Sequence, residues 1–134
     1  MATSPNYANT PTVGAALLTT GDTSRTAPTT YNTIFTPGSS GAQVERVVIQ
    51  PVGTTTSTAV RIFRYDGTNF HLYVEVQLQA QTASGSVAIT PQTLEAVDTP
   101  NLFPILVPAS WSLVATLNDT QSPGVQIQVE GGSY

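Results

Sequence analysis

The stretch from Arg61 to Leu78 limits what this chain can fold into more than any other. From Phe70 to Leu78 apolar and polar residues alternate without a break. A period of two with one apolar side is typical of a half-buried β-strand. Because Asp66 and Gly67 stand between two such runs and suit a tight turn, the stretch predicts an antiparallel hairpin that closes at these two residues.

The number of residues in the hairpin loop decides which side chains are buried. With an even number, Phe63 shares the buried face with Phe70, and Arg64 lies beside His71. With an odd number, Arg64 lies next to Phe70, and Ile62 is buried with the aromatic face instead. We favour the even loop, because it avoids pointing a guanidinium into the apolar layer, where an unpaired charge is costly.

Other short β-prone runs recur at intervals of roughly ten residues, separated by Gly, Pro, Ser and Thr. They are residues 31–36, 44–51, 86–90, 102–108, 111–117 and 125–130. Residues 92–98 are compatible with one helical turn, a loop or an edge strand. The spacing predicts an all-β domain of about eight strands, an antiparallel β-sandwich or barrel, and a jelly-roll-like sandwich suits that number best.

The first 30 residues differ from the rest, since Pro5, Pro11 and Pro28 exclude a continuous helix. We interpret residues 1–30 as an extended N-terminal arm and 31–134 as the β-sandwich domain. Within the arm, residues 12–20 are either a short strand or an extension that docks on another subunit, with a disordered tail as the alternative.

The surface is poor in charge. Charged residues make up 9% of the 134 residues, the four basic residues are all Arg, and about one residue in six is Thr. Soluble proteins ordinarily stay dispersed through interspersed charge, so burial of this surface against neighbouring subunits is the simplest explanation. A robust β-domain without a partner is the alternative.

Several classes of function fit the composition badly. A net charge of −4 argues against nucleic-acid binding, and the absence of Cys removes thiolate nucleophiles and Cys-based zinc sites. The N-terminus has no basic region, and its apolar island at 13–18 is too short for a signal or a membrane span. These features predict a protein made in a cytoplasm, with neither nucleic acid nor membrane as partner.

The sequence offers little catalytic chemistry. The single His71 lies on the polar side of its predicted strand, no nucleophile elbow is present, and Glu75 and Asp66 meet at most as neighbours of a turn. The isolated acids have no metal-ligand spacing, and no Gly-rich phosphate loop precedes a helix. We therefore predict a non-enzymatic protein with no catalytic, cofactor-binding or metal-binding residues.

Exposed aromatic rings suggest one further possibility. Trp111 and Phe63 are best explained by core packing, which leaves Tyr73 and Tyr65 as candidates for exposure. Rings on one face of a sandwich can stack on sugars, so a carbohydrate-binding module is an alternative to a structural role.

The second half of the chain resembles small β-sandwich virion proteins from the structural gene blocks of tailed bacteriophages. The resemblance covers roughly residues 60–134. It rests on Arg61-Ile62-Phe63 before Asp66-Gly67, Glu75 after that turn, Leu106 to Pro108 with Trp111-Ser112-Leu113, and the terminal Gly131-Gly132-Ser133-Tyr134. Each of these is a strand or turn element without catalytic meaning.

The resemblance implies a head decoration (cement) protein that binds the major capsid protein lattice from the outer surface of the virion, with homotrimers expected for jelly-roll proteins of this kind. A tail, neck or fibre component is the alternative. Many modest contacts, multiplied by copy number, suit such a role. The residues we expect to contact partners are Tyr7, Val13, Leu17, Leu18, Tyr73 and Tyr134.

Overall fold

A computed structural model describes residues 10–95 and 103–134, and these form nine β-strands. The strands are β1 (Thr10–Leu18), β2 (Asn32–Phe35), β3 (Ala42–Pro51), β4 (Thr58–Tyr65), β5 (Phe70–Leu78), β6 (Gln92–Glu95), β7 (Ile105–Val107), β8 (Ser112–Leu117) and β9 (Val125–Ser133). Within these ranges no helix has the length and apolar character needed to cross a membrane.

Two antiparallel sheets make up the fold. Sheet I has the order β1-β9-β3-β6, with β7 also paired to β3, and sheet II has the order β2-β8-β4-β5. The pairs are nested along the chain: β4 with β5, β3 with β6 and β7, β2 with β8, and β1 with β9. A long hairpin rolled up in this way is a jelly roll, so the prediction of an all-β, jelly-roll-like sandwich is confirmed.

The core lies between the inner faces of the two sheets. Sheet I contributes alternate residues of β9 and β3, and sheet II contributes alternate residues of β8 and β4, as expected for facing sheets. The largest fully buried apolar side chains of the core are Phe35, Leu18, Ile34, Ile49, Ile62, Ile105, Leu113, Leu117 and Ile127.

Strand β3 carries apolar residues on both of its faces, as is typical of a strand inside a sheet. It lies between β9 on one side and β6 and β7 on the other. Strand β9 lies between β1 and β3.

The prediction of a strand at residues 86–90 is wrong. Within the described residues this segment contains an isolated bridge between Ser84 and Val87, and the strand on β3 is instead Gln92–Glu95. The Ser84 hydroxyl accepts a hydrogen bond from the Ser86 amide. Such local side-chain bonds favour a turn over a ladder.

The hairpin has the favoured even loop, but the predicted face of its aromatic residues is wrong. Tyr65 pairs with Phe70 and Arg64 with His71 across a four-residue loop. Further along, the register shifts, because Tyr73 is an extra residue that bulges out of the ladder. As a result Phe63 and Phe70 face away from the core, and Ile62 faces into it.

Strand β1 is an integral edge strand of sheet I rather than a free segment. Its nine residues pair in continuous register with β9. A Cβ at Gly14 would lie 1.8 Å from the Ile34 carbonyl oxygen of β2, which shows how closely the two sheets approach at this edge. Of the segment interpreted as an arm, residues 1–9 lie outside the described residues, and its docking on another subunit stays a prediction.

Candidate interaction surfaces

His71 is held by a turn carboxylate and by an aromatic ring. Its Nε2 lies 3.0 Å from Asp66 Oδ2, and its ring stacks on Trp111 with centroids 5.4 Å apart. Asp66 also accepts hydrogen bonds from the amides of Thr68 and Asn69. These bonds, with that of Asn69 the largest contribution, lower the Asp66 pKa to about 2. The group therefore stabilises the turn.

Glu75 is likewise engaged in structure. Its Oε1 accepts hydrogen bonds at 2.6 Å from the Nε atoms of Arg61 and Arg25. The Arg61 guanidinium, followed by that of Arg25, holds the Glu75 pKa below its usual value. A carboxylate kept ionised between two guanidinium groups is a poor general acid.

The described residues contain no group of three or more His, Cys, Asp or Glu side chains that could hold a metal ion. A small open cleft is lined by Pro51, Leu78, Gln79, Gln81 and Thr90, with a volume of about 120 Å³. Ligand pockets are commonly about 300–1,000 Å³ and gather polar groups around a reacting centre. This cleft is smaller and has no titratable side chain.

The outer face of sheet II is covered by residues 19–31, which we call the strap. Asp22 organises it: its carboxylate accepts hydrogen bonds from the backbone amides of Ser24, Thr29 and Thr30. These bonds, with that of Thr30 the largest contribution, lower the Asp22 pKa. The Asp22 amide in turn donates to the Leu117 carbonyl of β8 at 2.6 Å, which ties the strap to the sheet.

Outward-facing residues of sheet II are buried under the strap. Arg61 is 2% exposed and donates to Glu75, to Asn118 and to the Asp22 carbonyl. Phe63 is fully buried and packs edge-on against Phe70, whose ring also contacts Tyr31 of the strap. The sequence pattern of residues 19–31 does not reveal this covering role, although Asp22 followed two residues later by Ser24 is a turn signal.

The outer face of sheet I carries no such covering segment in the described part of the chain. The strand registers arrange its side chains in three rows across β1, β9 and β3. The rows are Val13-Glu130-Arg46, Ala15-Gln128-Val48 and Leu17-Gln126-Gln50. Glu130 and Arg46 form an ion pair in the first row, and the other two rows are uncharged. Within these three rows, the outer face of sheet I therefore presents uncharged side chains and a single ion pair.

The residues expected to contact partners are distributed unevenly. Val13 is 70% and Leu17 43% exposed, both on the outer face of sheet I, whereas Leu18 is 2% exposed and belongs to the core. Because its side chain points between the sheets, Leu18 is unavailable to a partner while β1 stays in place.

Two of the remaining expected contact residues, Tyr73 and Tyr134, make contacts within the protein. Tyr73 packs partly against the core with the Arg64 guanidinium over its ring, and Tyr134 donates a hydrogen bond from its hydroxyl to Gln43 Oε1. Tyr7 lies outside the described residues. The structure therefore groups Val13 and Leu17 on one surface, whereas Leu18 and Tyr73 pack against the core.

The tyrosines considered for sugar stacking use their rings within the protein. Tyr65 stacks on Phe70 with centroids 4.3 Å apart and donates its hydroxyl hydrogen to the Gly67 carbonyl. Tyr73 lies beneath Arg64, 5.3 Å from ring centroid to guanidinium carbon. These contacts occupy one face of each ring.

A comparison with protein-family models and with curated proteins finds no match to this chain.

Proposed function

We propose that this protein decorates and stabilises a bacteriophage capsid, binding the major capsid protein lattice from the outer surface of the virion. The observation that carries the proposal is the contrast between the two outer faces of the sandwich. Sheet II is covered by the chain's own strap, whereas sheet I presents a broad face of Val, Ala, Leu and Gln side chains.

Such a face suits lattice contact for a physical reason. Burying an unpaired charge against a partner costs several kcal/mol. An amide side chain costs less, provided that it finds a hydrogen-bond partner, and small apolar side chains gain free energy on burial. The single ion pair between Arg46 and Glu130 is already formed within the subunit. Modest affinity per copy, repeated over many copies, is enough to stabilise a shell.

Binding to emptied, expanded phage heads tests the proposal. Purified protein is mixed with heads that lack it, and the bound fraction and the melting temperature of the heads are measured. We expect saturable binding and a higher melting temperature. Protein that fails to bind such heads would contradict the proposal.

A matched pair of variants tests the surface. Gln128→Arg puts an unpaired charge in the central row of the sheet I face, and Gln79→Arg makes the same change at an exposed residue beyond β5. We expect Gln128→Arg to weaken head binding about tenfold or more and Gln79→Arg to leave it unchanged. Equal effects of the two variants would show that the sheet I face is not the docking surface.

A further inference from the structure

In the described part of the chain, β1 lies at the edge of sheet I with β9 as its one neighbouring strand. The strand registers fix the direction of the backbone groups on its open side. The Val52 amide donates to the Gly124 carbonyl, just before β9. The even-numbered residues of β3 therefore also point their N–H and C=O groups toward β9. Gln50 and Gln126 therefore form a hydrogen-bonded pair. The backbone N–H and C=O groups of successive residues in a strand point to opposite sides. Those of the odd-numbered residues of β9, from Val125 onward, therefore point toward β1.

The same alternation fixes β1. Val125 pairs with Leu18 and Val129 with Gly14, so even-numbered residues of β1 face β9. The N–H and C=O groups of Val13, Ala15 and Leu17 therefore point away from the sheet. Pro11 is also odd-numbered, so its nitrogen, which has no hydrogen to donate, lies on the open side of β1. Proline in a sheet is usually found in this position on an edge strand.

Apart from Pro11 near its start, this edge lacks the features that protect other edges from pairing. Residues 10–18 contain no charged side chain, and Val13 and Leu17 are exposed apolar residues. The edge strand β5 of sheet II differs, because it carries His71 and Glu75 and is distorted by a bulge at Tyr73. Charges and bulges are the usual means of blocking edge-to-edge association, and β1 has neither.

We propose that β1 pairs with β1 of a second copy of this chain, antiparallel and about a two-fold axis at Ala15. In this register Ala15 faces its own counterpart, and Val13 faces Leu17 of the other copy. Each of the three pairs exchanges two backbone hydrogen bonds, about six in total. The two sheet I surfaces then join into one continuous sheet with an unbroken apolar stripe of Val13, Ala15 and Leu17.

A second copy fits this edge because the edge is complementary to itself. An isologous two-fold contact needs opposed donors and acceptors and no like charges across the axis. The β1 edge meets both requirements. The proposal does not depend on the function of the protein, and a three-fold assembly would need a contact elsewhere.

The oligomer and its register are tested together. Sedimentation equilibrium of the full chain should show a species of twice the 14.0 kDa subunit mass. Amide hydrogen exchange in that species should protect Val13, Ala15 and Leu17, whose amides have no partner strand among residues 10–95 and 103–134. A monomer over the accessible concentration range, or a dimer in which these amides exchange freely, would overturn the proposal.

A charge-reversal cycle tests the register. In the double variant Val13→Lys, Leu17→Lys, a Lys of one copy lies opposite a Lys of the other at both ends of the β1 contact. We expect the dissociation constant of the dimer to rise about tenfold. Val13→Lys with Leu17→Glu places opposite charges there and should restore most of the affinity. Val87→Lys is the matched control, since Val87 is also exposed (65%) but lies outside sheet I. Similar effects of both double variants, or an effect of the control, would contradict this pairing.

Discussion

Gly14 lies where the inner face of β1 meets the backbone of β2. A methyl group there would lie 1.8 Å from a carbonyl oxygen, and only backbone movement could relieve the clash. We expect Gly14→Ala to lower the free energy of unfolding by about 2 kcal/mol or more, as overpacking does. Urea denaturation measures the change.

Gly85→Ala is the control for that measurement, because a Cβ at Gly85 meets nothing within 4 Å. We expect this variant to match the wild type or to be slightly more stable, since alanine restricts the unfolded chain. If both glycine variants lost the same stability, the close approach of β1 to β2 would not be the cause.

Asp66 gives the hairpin turn a dependence on pH. Its pKa falls from 3.8 to about 2 on folding, chiefly through the Asn69 amide and then through His71. A carboxyl group with a lowered folded-state pKa contributes stability above its unfolded pKa and loses it as pH falls through the folded value. The contribution of Asp66 is therefore complete above about pH 5 and lost by about pH 2.

Asp66→Asn isolates this contribution, because the amide oxygen still accepts hydrogen bonds from Thr68 and Asn69 but carries no charge. We expect the loss of stability of the wild type between about pH 5 and pH 2 to be smaller in the variant. The urea midpoint across this range measures it. Identical slopes for the two proteins would show that Asp66 does not contribute, since Asp22 and Glu75 titrate in both.

The conformation of the whole strap depends on Asp22. Asp22→Ala removes the acceptor for the amides of Ser24, Thr29 and Thr30, and we expect the strap to open. Trypsin reports the opening, because the chain has four Arg and no Lys, and Arg25 lies in the strap. Cleavage after Arg25 should be about tenfold faster or more in the variant.

The exposed Thr23 provides a neighbouring control. Thr23→Ala should leave the rate of cleavage after Arg25 near that of the wild type. An unchanged rate in Asp22→Ala would mean that Arg61 and Tyr31 hold the strap without this carboxylate.

The hairpin and most of the strands were predictable from local pattern, whereas the strand at Gln92–Glu95 and the buried faces of the hairpin were not. The alternation of β5 is unbroken in sequence, yet the bulge at Tyr73 divides its apolar residues between the outer face, with Phe70, and the core, with Val76. Apolar periodicity indicates that a face is buried and does not say by what. Here the strap buries the second face, a contact between residues distant in the chain.

At the scale of the molecule, β1 closes the sandwich. Deletion of residues 1–18 removes β1 and leaves the backbone groups of Val125, Ile127 and Val129 without partners on that side. We expect this truncated chain to aggregate or to lose cooperative unfolding. Deletion of residues 1–9 leaves β1 in place and should preserve the melting temperature, which calorimetry measures for both. A stable, monomeric product of the longer deletion would show that β1 is dispensable.

The sequence by itself determined the fold class, the main hairpin and the scarcity of catalytic groups, because period-two alternation, turn residues and composition are local properties. The tertiary structure decided which aromatic residues leave the core, which outer face is covered and where Leu18 points. Those outcomes depend on a bulge, on a strap anchored by Asp22 and Arg61, and on strand registers between distant segments. Such contacts follow from packing in three dimensions, and no short stretch of the chain records them.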